Sequence, residues 1–124
     1  MGTYVDLEGY KKAYRLAMDI FHISKSFPAD ERYSLTDQIR RSSRSVCANF
    51  GEAYRRRNYP AHFLSKLSDA DAENTETEVW LRFALDCNYV SEITFKDLSD
   101  KCAEVGRLIG YMINHPEKFT SSAR

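Results

Sequence analysis

Three histidines, three cysteines and two blocks of opposite charge are the residues of this chain with chemical potential. A di-metal centre in a helical protein needs paired Glu-x-x-His motifs and further facing glutamates. His22, His62 and His115 fall on separate segments, and Asp19-x-x-His22 occurs once, so no metal site is expected. A nucleophilic cysteine needs a cationic or basic neighbour to hold its thiolate. Cys47, Cys87 and Cys102 have no adjacent histidine and are too widely spaced for a zinc knuckle or redox pair. Each lies in an apolar helical stretch, which predicts three reduced, buried thiols. There is no glycine-rich phosphate loop and no G-x-S-x-G elbow. Gly106-x-x-x-Gly110 sits within a helical stretch, where it is expected to permit close helix packing. The chain therefore points away from an enzyme and needs no cofactor.

Charge is the other chemical resource. The chain carries 18 basic and 18 acidic side chains for a net charge of zero, so attraction to nucleic acid or an anionic membrane requires a local patch. Residues 40–57 hold six arginines (Arg40, Arg41, Arg44, Arg55, Arg56, Arg57) against Glu52 alone, a net of +5. Residues 69–78 hold Asp69, Asp71, Glu73, Glu76 and Glu78 with no base, a net of −5. The two blocks are expected to pair, within one chain or between copies. The competing expectation has Arg41, Arg44, Arg55, Arg56 and Arg57 contacting phosphates.

These residues must be positioned by helices. At 43% hydrophobic residues and 124 residues in all, the chain can bury one core. Residues 7–26 carry a stripe of Tyr10, Ala13, Tyr14, Ala17, Phe21 and Ser24 at helical spacing. Phe27-Pro28 stops it, because a residue preceding proline is pushed from the α region. A second helix is predicted over 34–57, with Ser34 and Asp37 as a capping pair. Its stripe is Leu35, Ile39, Ser42, Val46, Asn49 and Ala53, a seven-residue repeat suited to shallow-angle packing. Pro60 suits the first turn of a third helix over 60–87, striped by Phe63, Leu67, Ala70, Asn74, Thr77, Leu81 and Leu85. A fourth helix over 94–114 begins with a box-like Thr94 and Asp97, with Ile93 stapled on Leu98. Leu98, Cys102, Val105, Ile109 and Met112 form its stripe, and the tail over 116–124 is expected to fray. Short connections between consecutive helices predict an all-α, antiparallel, up-down-up-down four-helix bundle in a single domain. No apolar run approaches the ~18–20 residues of a membrane span, and the first ten residues lack signal-peptide order; the cytoplasm is the expected location.

Two helices carry more apolar or small-residue surface than one bundle can cover. Opposite its core stripe, the second helix presents Arg41, Arg44, Ser45, Ala48, Glu52 and Arg55. Small Ser45 and Ala48 would let another helix approach; the plainer alternative is a wet face with an intrahelical Glu52–Arg56 pair. The third helix carries Val79, Trp80 and Phe83 outside its stripe. Ala48, Val79, Trp80 and Phe83 are the expected contact residues of a homo-oligomer.

One string is more distinctive than any stripe. Phe27-Pro28, Glu31-Arg32-Tyr33, then Leu35-Thr36-Asp37-Gln38-Ile39-Arg40-Arg41, Ser43, Ser45-Val46, Ala48-Asn49 and Glu52 follow one another, with Glu76-Thr77, Trp80-Leu81 and Ala84 further on. This resembles the four-helix proteins encoded by intervening sequences of bacterial 23S ribosomal RNA genes. The likeness spans about residues 7 to 113. Phe50-Gly51 replaces the family's usual Ile-Ala, and Ala53 stands where the family often has Gly. The resemblance implies a homopentamer of bundles arranged as a ring or barrel. It also implies a fold similar to accessory proteins of diversity-generating retroelements, which bind nucleic acid. The family's polar positions map to Arg40, Arg41, Asn49, Glu52 and Glu76, either a partner patch or an ion-pair network between helices or subunits.

Overall fold

The computed structural model describes residues 2–120. It is all-α, with four helices: α1 over Glu8–Ser24, α2 over Leu35–Arg55, α3 over Pro60–Asp86 and α4 over Glu92–Asn114. Single 3-10 turns at Tyr4–Asp6, Ala29–Glu31 and Pro116–Lys118 flank them. Residues 121–124 of the expected frayed tail lie outside the described residues. The main packing is α1 on α2, α2 on α3, α3 on α4, and α4 back on α1. Among the described residues no helix is long and apolar enough to cross a membrane.

The heptad-like stripes form the core. Leu35, Ile39, Ser42, Val46, Asn49 and Ala53 of α2 are all buried, as are Leu98, Cys102, Val105, Ile109 and Met112 of α4. Phe63, Leu67, Ala70, Asn74, Thr77 and Leu81 line the buried side of α3, and Leu85 packs at its edge. Helix α1 is rotated from the expected stripe. Gly9, Ala13, Leu16, Ala17, Ile20 and Ser24 face inward, while Tyr14 is 52% exposed. Ala13, Ala17 and Ser24 belong to both stripes, so spacing alone left two choices. Burial favours Leu16 and Ile20, because a tyrosine hydroxyl placed in the core would require a partner there.

The helix ends differ from the expected capping. Ser34 makes no side-chain cap; Glu31 Oε1 instead accepts the Leu35 N–H at 3.1 Å. Helix α4 begins two residues earlier than expected, because Ser91 accepts the Thr94 N–H at 3.1 Å. Ile93 consequently lies in the first turn and is 84% exposed rather than stapled on Leu98. Pro60 does occupy the first turn of α3. That helix ends on Asn88 at φ 62°, with the Asn88 N–H on Leu85 O and the Tyr89 N–H on Ala84 O. This is a Schellman closure, with asparagine in the left-handed position that glycine usually takes. It turns Tyr89 back onto the bundle, where its ring meets Phe27 and its hydroxyl donates to Glu31 Oε2 at 2.7 Å.

Close packing also sets where glycine is needed. A Cβ on Gly9 would lie 2.6 Å from the ring of fully buried Phe50. A Cβ on Gly106 would meet only Asn74 Nδ2 at 3.4 Å, and one on Gly110 would meet nothing within 4 Å. Gly110 therefore has no role in close helix packing within the chain. The glycine that allows close approach is Gly9.

Candidate functional site

Helices α2 and α3 share the longest interface, and their polar residues converge along it. On α2, Gln38, Arg41 and Ser45 recur at three- and four-residue steps and so share one edge. On α3, Glu73 and Glu76 do the same. These side chains, with Ser42 and Arg44, line a cleft of about 480 Å³. Two of its lining residues, Ser42 and Ser45, are held by hydrogen bonds to Thr77 and Asn49. Thr77 Oγ1 donates to Ser42 Oγ at 2.8 Å and lies 2.9 Å from the Glu73 carbonyl. Asn49 Nδ2 donates to the Ser45 carbonyl at 2.9 Å and reaches Ser45 Oγ at 3.3 Å. Half-buried Glu73 has its pKa raised, first by burial and then by neighbouring Glu76, while Ser45 and Arg41 act in the opposite direction.

The polar positions Arg40, Arg41, Asn49, Glu52 and Glu76 are divided among four environments. Only Arg41 and Glu76 line the cleft. Asn49 is buried and bonds to Ser45 of the cleft lining. Arg40 turns toward α1, donating from Nε to Ser24 Oγ at 2.8 Å and from Nη2 to the Phe21 carbonyl at 3.4 Å. It thereby engages a carbonyl of the last α1 turn while its guanidinium stacks over the Phe21 ring. Glu52 pairs with Lys66 of α3 at 2.9 Å, not with Arg56, and raises the Lys66 pKa.

The five arginines considered for phosphate contact are also spread out. Arg41 and Arg55 are separated by about 21 Å along α2, at 1.5 Å per residue. Arg44 lies over Phe21. Arg55 and Arg56 are exposed, whereas Arg57 is half-buried, stacked on Tyr54 and donating to its carbonyl at 2.9 Å.

The four expected contact residues fall in two places. Ala48 is exposed on the wall of a depression of about 650 Å³ beside the N-terminal turn, shared with Tyr4, Tyr10, Cys47, Tyr54 and Arg55. Val79, Trp80 and Phe83 lie together on α3, with Val79 39% and Phe83 53% exposed. Trp80 and Phe83 line a second depression with Tyr33 and Cys87.

The thiols divide as well. Burial pushes Cys47 up to about 11 and Cys102 up to about 12. Cys102 Sγ also lies 3.2 Å from the Asn74 carbonyl. Cys87, expected to be buried, is exposed because it is the C-cap of α3, beyond the core stripe. No group of three or more His, Cys, Asp or Glu among the described residues is placed to hold a metal ion.

Sequence reasoning passed over Glu73 as a cleft residue, Lys66 as the partner of Glu52, and Lys101, which bridges Asp19 at 2.9 Å and Asp97 at 3.1 Å. The Glu73-x-x-Glu76 spacing was a usable signal, since residues three apart share a helix face. Lys66 and Lys101 carried no such local mark.

The family model described as 23S rRNA-intervening sequence protein matches residues 5–111. The chain belongs to the 23S rRNA-intervening sequence protein family. A solved structure agrees with this membership: a protein with unknown function from the S23 ribosomal protein family of Bacteroides thetaiotaomicron VPI-5482, determined by crystallography at 1.70 Å resolution. It is 26% identical to this intervening-sequence protein, covering 86% of this chain and 95% of that one, with a TM-score of 0.78. No curated protein matches this family member.

Proposed function

We propose that this family member is a non-enzymatic, self-assembling interaction or scaffold module of the cytoplasm: an antiparallel up-down-up-down bundle whose copies cover one another. The ordering is supported by the residues that meet across helices. Glu52 pairs with Lys66 and Ser42 with Thr77 between α2 and α3, and Arg40 with Ser24 between α2 and α1. Five copies is the number the family resemblance implies.

The observation that carries self-assembly is the α3 patch. Val79 and Phe83 stand open there, side by side with half-buried Trp80. Apolar surface left in water costs roughly 25 cal/mol per Å², and cover from a second copy would remove it from water. Light scattering coupled to size exclusion tests this. The wild-type protein is expected at a multiple of the monomer mass, five for a pentamer. Trp80→Glu is expected to disperse it, since a carboxylate left unpaired in a desolvated contact costs several kcal/mol. A wild-type monomer at micromolar concentration would refute the proposal.

A second reading, a nucleic-acid-binding accessory protein, is favoured by one observation. Arg41, Arg44, Arg55 and Arg56 are exposed, and none joins an ion pair among the described residues. Titration with RNA and DNA across a salt series decides it. Phosphate contacts give an affinity that falls linearly in log[salt], by about 0.7–0.9 per contact; binding absent at low salt rules the reading out.

A further inference from the structure

The α2–α3 cleft has an unusual charge arrangement. Arg41 and Arg44 stand on one wall, Glu73 and Glu76 on the other. No ion pair among the described residues joins the two walls. The two carboxylates are instead neighbours of one another, with Glu73 half-buried. Arg44 is placed over the Phe21 ring on the side toward α1. The volume, about 480 Å³, falls within the ~300–1,000 Å³ range of small-molecule sites.

We propose that this cleft binds a small zwitterion of the α-amino acid class, its carboxylate on Arg41 and its ammonium group between Glu73 and Glu76. Charge balance selects this class. A simple anion meets the two glutamates, and a simple cation meets the two arginines. A molecule carrying both charges a few ångströms apart satisfies each wall and leaves the site neutral. The guanidinium fork matches a carboxylate with two parallel hydrogen bonds. An ammonium group brings three donors and no acceptor, which suits two adjacent carboxylates that otherwise repel one another. Gln38, on the same edge as Arg41, leaves a polar group for the remainder of the ligand. The lining residues Ser42 and Ser45 are already held by hydrogen bonds to Thr77 and Asn49, which lowers the ordering cost at that part of the cleft. The rival arrangement has Arg41 folding across onto Glu73 and closing the cleft. The cleft adjoins the Val79–Phe83 patch, since Gln38 lines both depressions.

The test is isothermal titration of the full chain with each of the twenty L-amino acids. The N-acetyl and methyl-ester forms of the tightest binder follow, with inorganic phosphate as the control anion. At least one free amino acid is expected to bind in the micromolar-to-millimolar range, and each blocked form to bind about tenfold more weakly or worse. Arg41→Gln is expected to abolish the discrimination between acid and ester. Glu73→Gln is expected to shrink that between amine and N-acetyl form. No binding by about 10 mM amino acid overturns the proposal, as it would if Arg41 closes on Glu73. Blocked forms that bind equally well, or phosphate that binds as tightly, overturn it too. The same titrations on Trp80→Glu separate a cleft covered by a second copy: binding in that variant alone, with none to the wild type, also overturns the proposal. The arms with blocked ligands use wild-type protein, so a variant that fails to fold does not decide the outcome.

Discussion

Gly9→Ala should destabilise this protein, although the same change in a helix normally stabilises it. Exchanging glycine for alanine within a helix gains about 0.5–1 kcal/mol, because the unfolded chain loses freedom. Gly9 is the second residue of α1, where that gain is at the low end. Against it stands a Cβ placed 2.6 Å from Phe50 Cε1 and Cζ. The ring is fully buried, so relief requires shifting α1 or the ring, an overpacking cost of about 1–3 kcal/mol. The net loss is about 0.5–2.5 kcal/mol. Gly110→Ala is the matched control: its Cβ meets nothing within 4 Å, and a gain of about 0.5–1 kcal/mol is expected. The cause is tested by shrinking the ring. Phe50→Ile removes the ring and leaves space where the Gly9 Cβ would go. Gly9→Ala combined with Phe50→Ile should therefore cost less than the sum of the two single changes, by about 1 kcal/mol or more. Urea unfolding at one fixed protein concentration measures all four proteins, since self-association would make the midpoint concentration-dependent. Gly9→Ala as stable as wild type, or strict additivity in the double variant, refutes the reasoning.

Two further outcomes follow from ionisation and exposure. The Glu31 carboxyl is held below the usual glutamate value of 4.5, mainly by the Tyr89 hydroxyl and next by the Leu35 N–H. Its contribution is fully present above pH 4.5 and lost as pH falls through its lower folded value. Tyr89 is raised from 10.0 to about 12 by the same hydrogen bond, so its contribution is complete below pH 10 and lost as pH rises toward about 12. Urea midpoints measured against pH should show both limbs in the wild type and a flattening of each in Glu31→Gln; unchanged limbs would show that the bond contributes nothing. For the thiols, a disulfide reagent at mildly alkaline pH should label one cysteine rapidly in the dispersed Trp80→Glu protein. That cysteine is exposed Cys87, because Cys102 is buried and half-buried Cys47 has its thiol raised to about 11, with Cys102 raised to about 12. Cys87 lines the same depression as Trp80 and Phe83, so assembly through that patch should slow its labelling in the wild type. Equal rates in the two proteins would place the contact elsewhere.

Periodicity settled most of the architecture. Three stripes survive in the core because a seven-residue spacing puts each member on one side of a helix, whatever it packs against. The stripe of α1 was ambiguous because Ala13, Ala17 and Ser24 fit two rotations of the helix. Tertiary contact chose the rotation that buries Leu16 and Ile20. The capping errors have a related cause. Ser34 and Thr94 have the right side chains for a cap, but Glu31 reaches the α2 start from the preceding turn and Ser91 claims the α4 start first.

The amino-acid order by itself determined that the chain makes four helices, which sides of three of them are apolar, and which family it belongs to; these are local or pattern properties carried by neighbouring residues. It also set out the two opposed charge blocks, +5 and −5, but not their pairing. Only the tertiary structure turned Arg40 toward α1, joined Glu52 to Lys66, set Glu73 and Glu76 across a cleft from Arg41, and buried the Trp80 indole N–H with no acceptor among the described residues. Long charged side chains reach several ångströms in any direction, so which partner each one meets is fixed by how whole helices rotate and pack, not by the residues beside it in the chain.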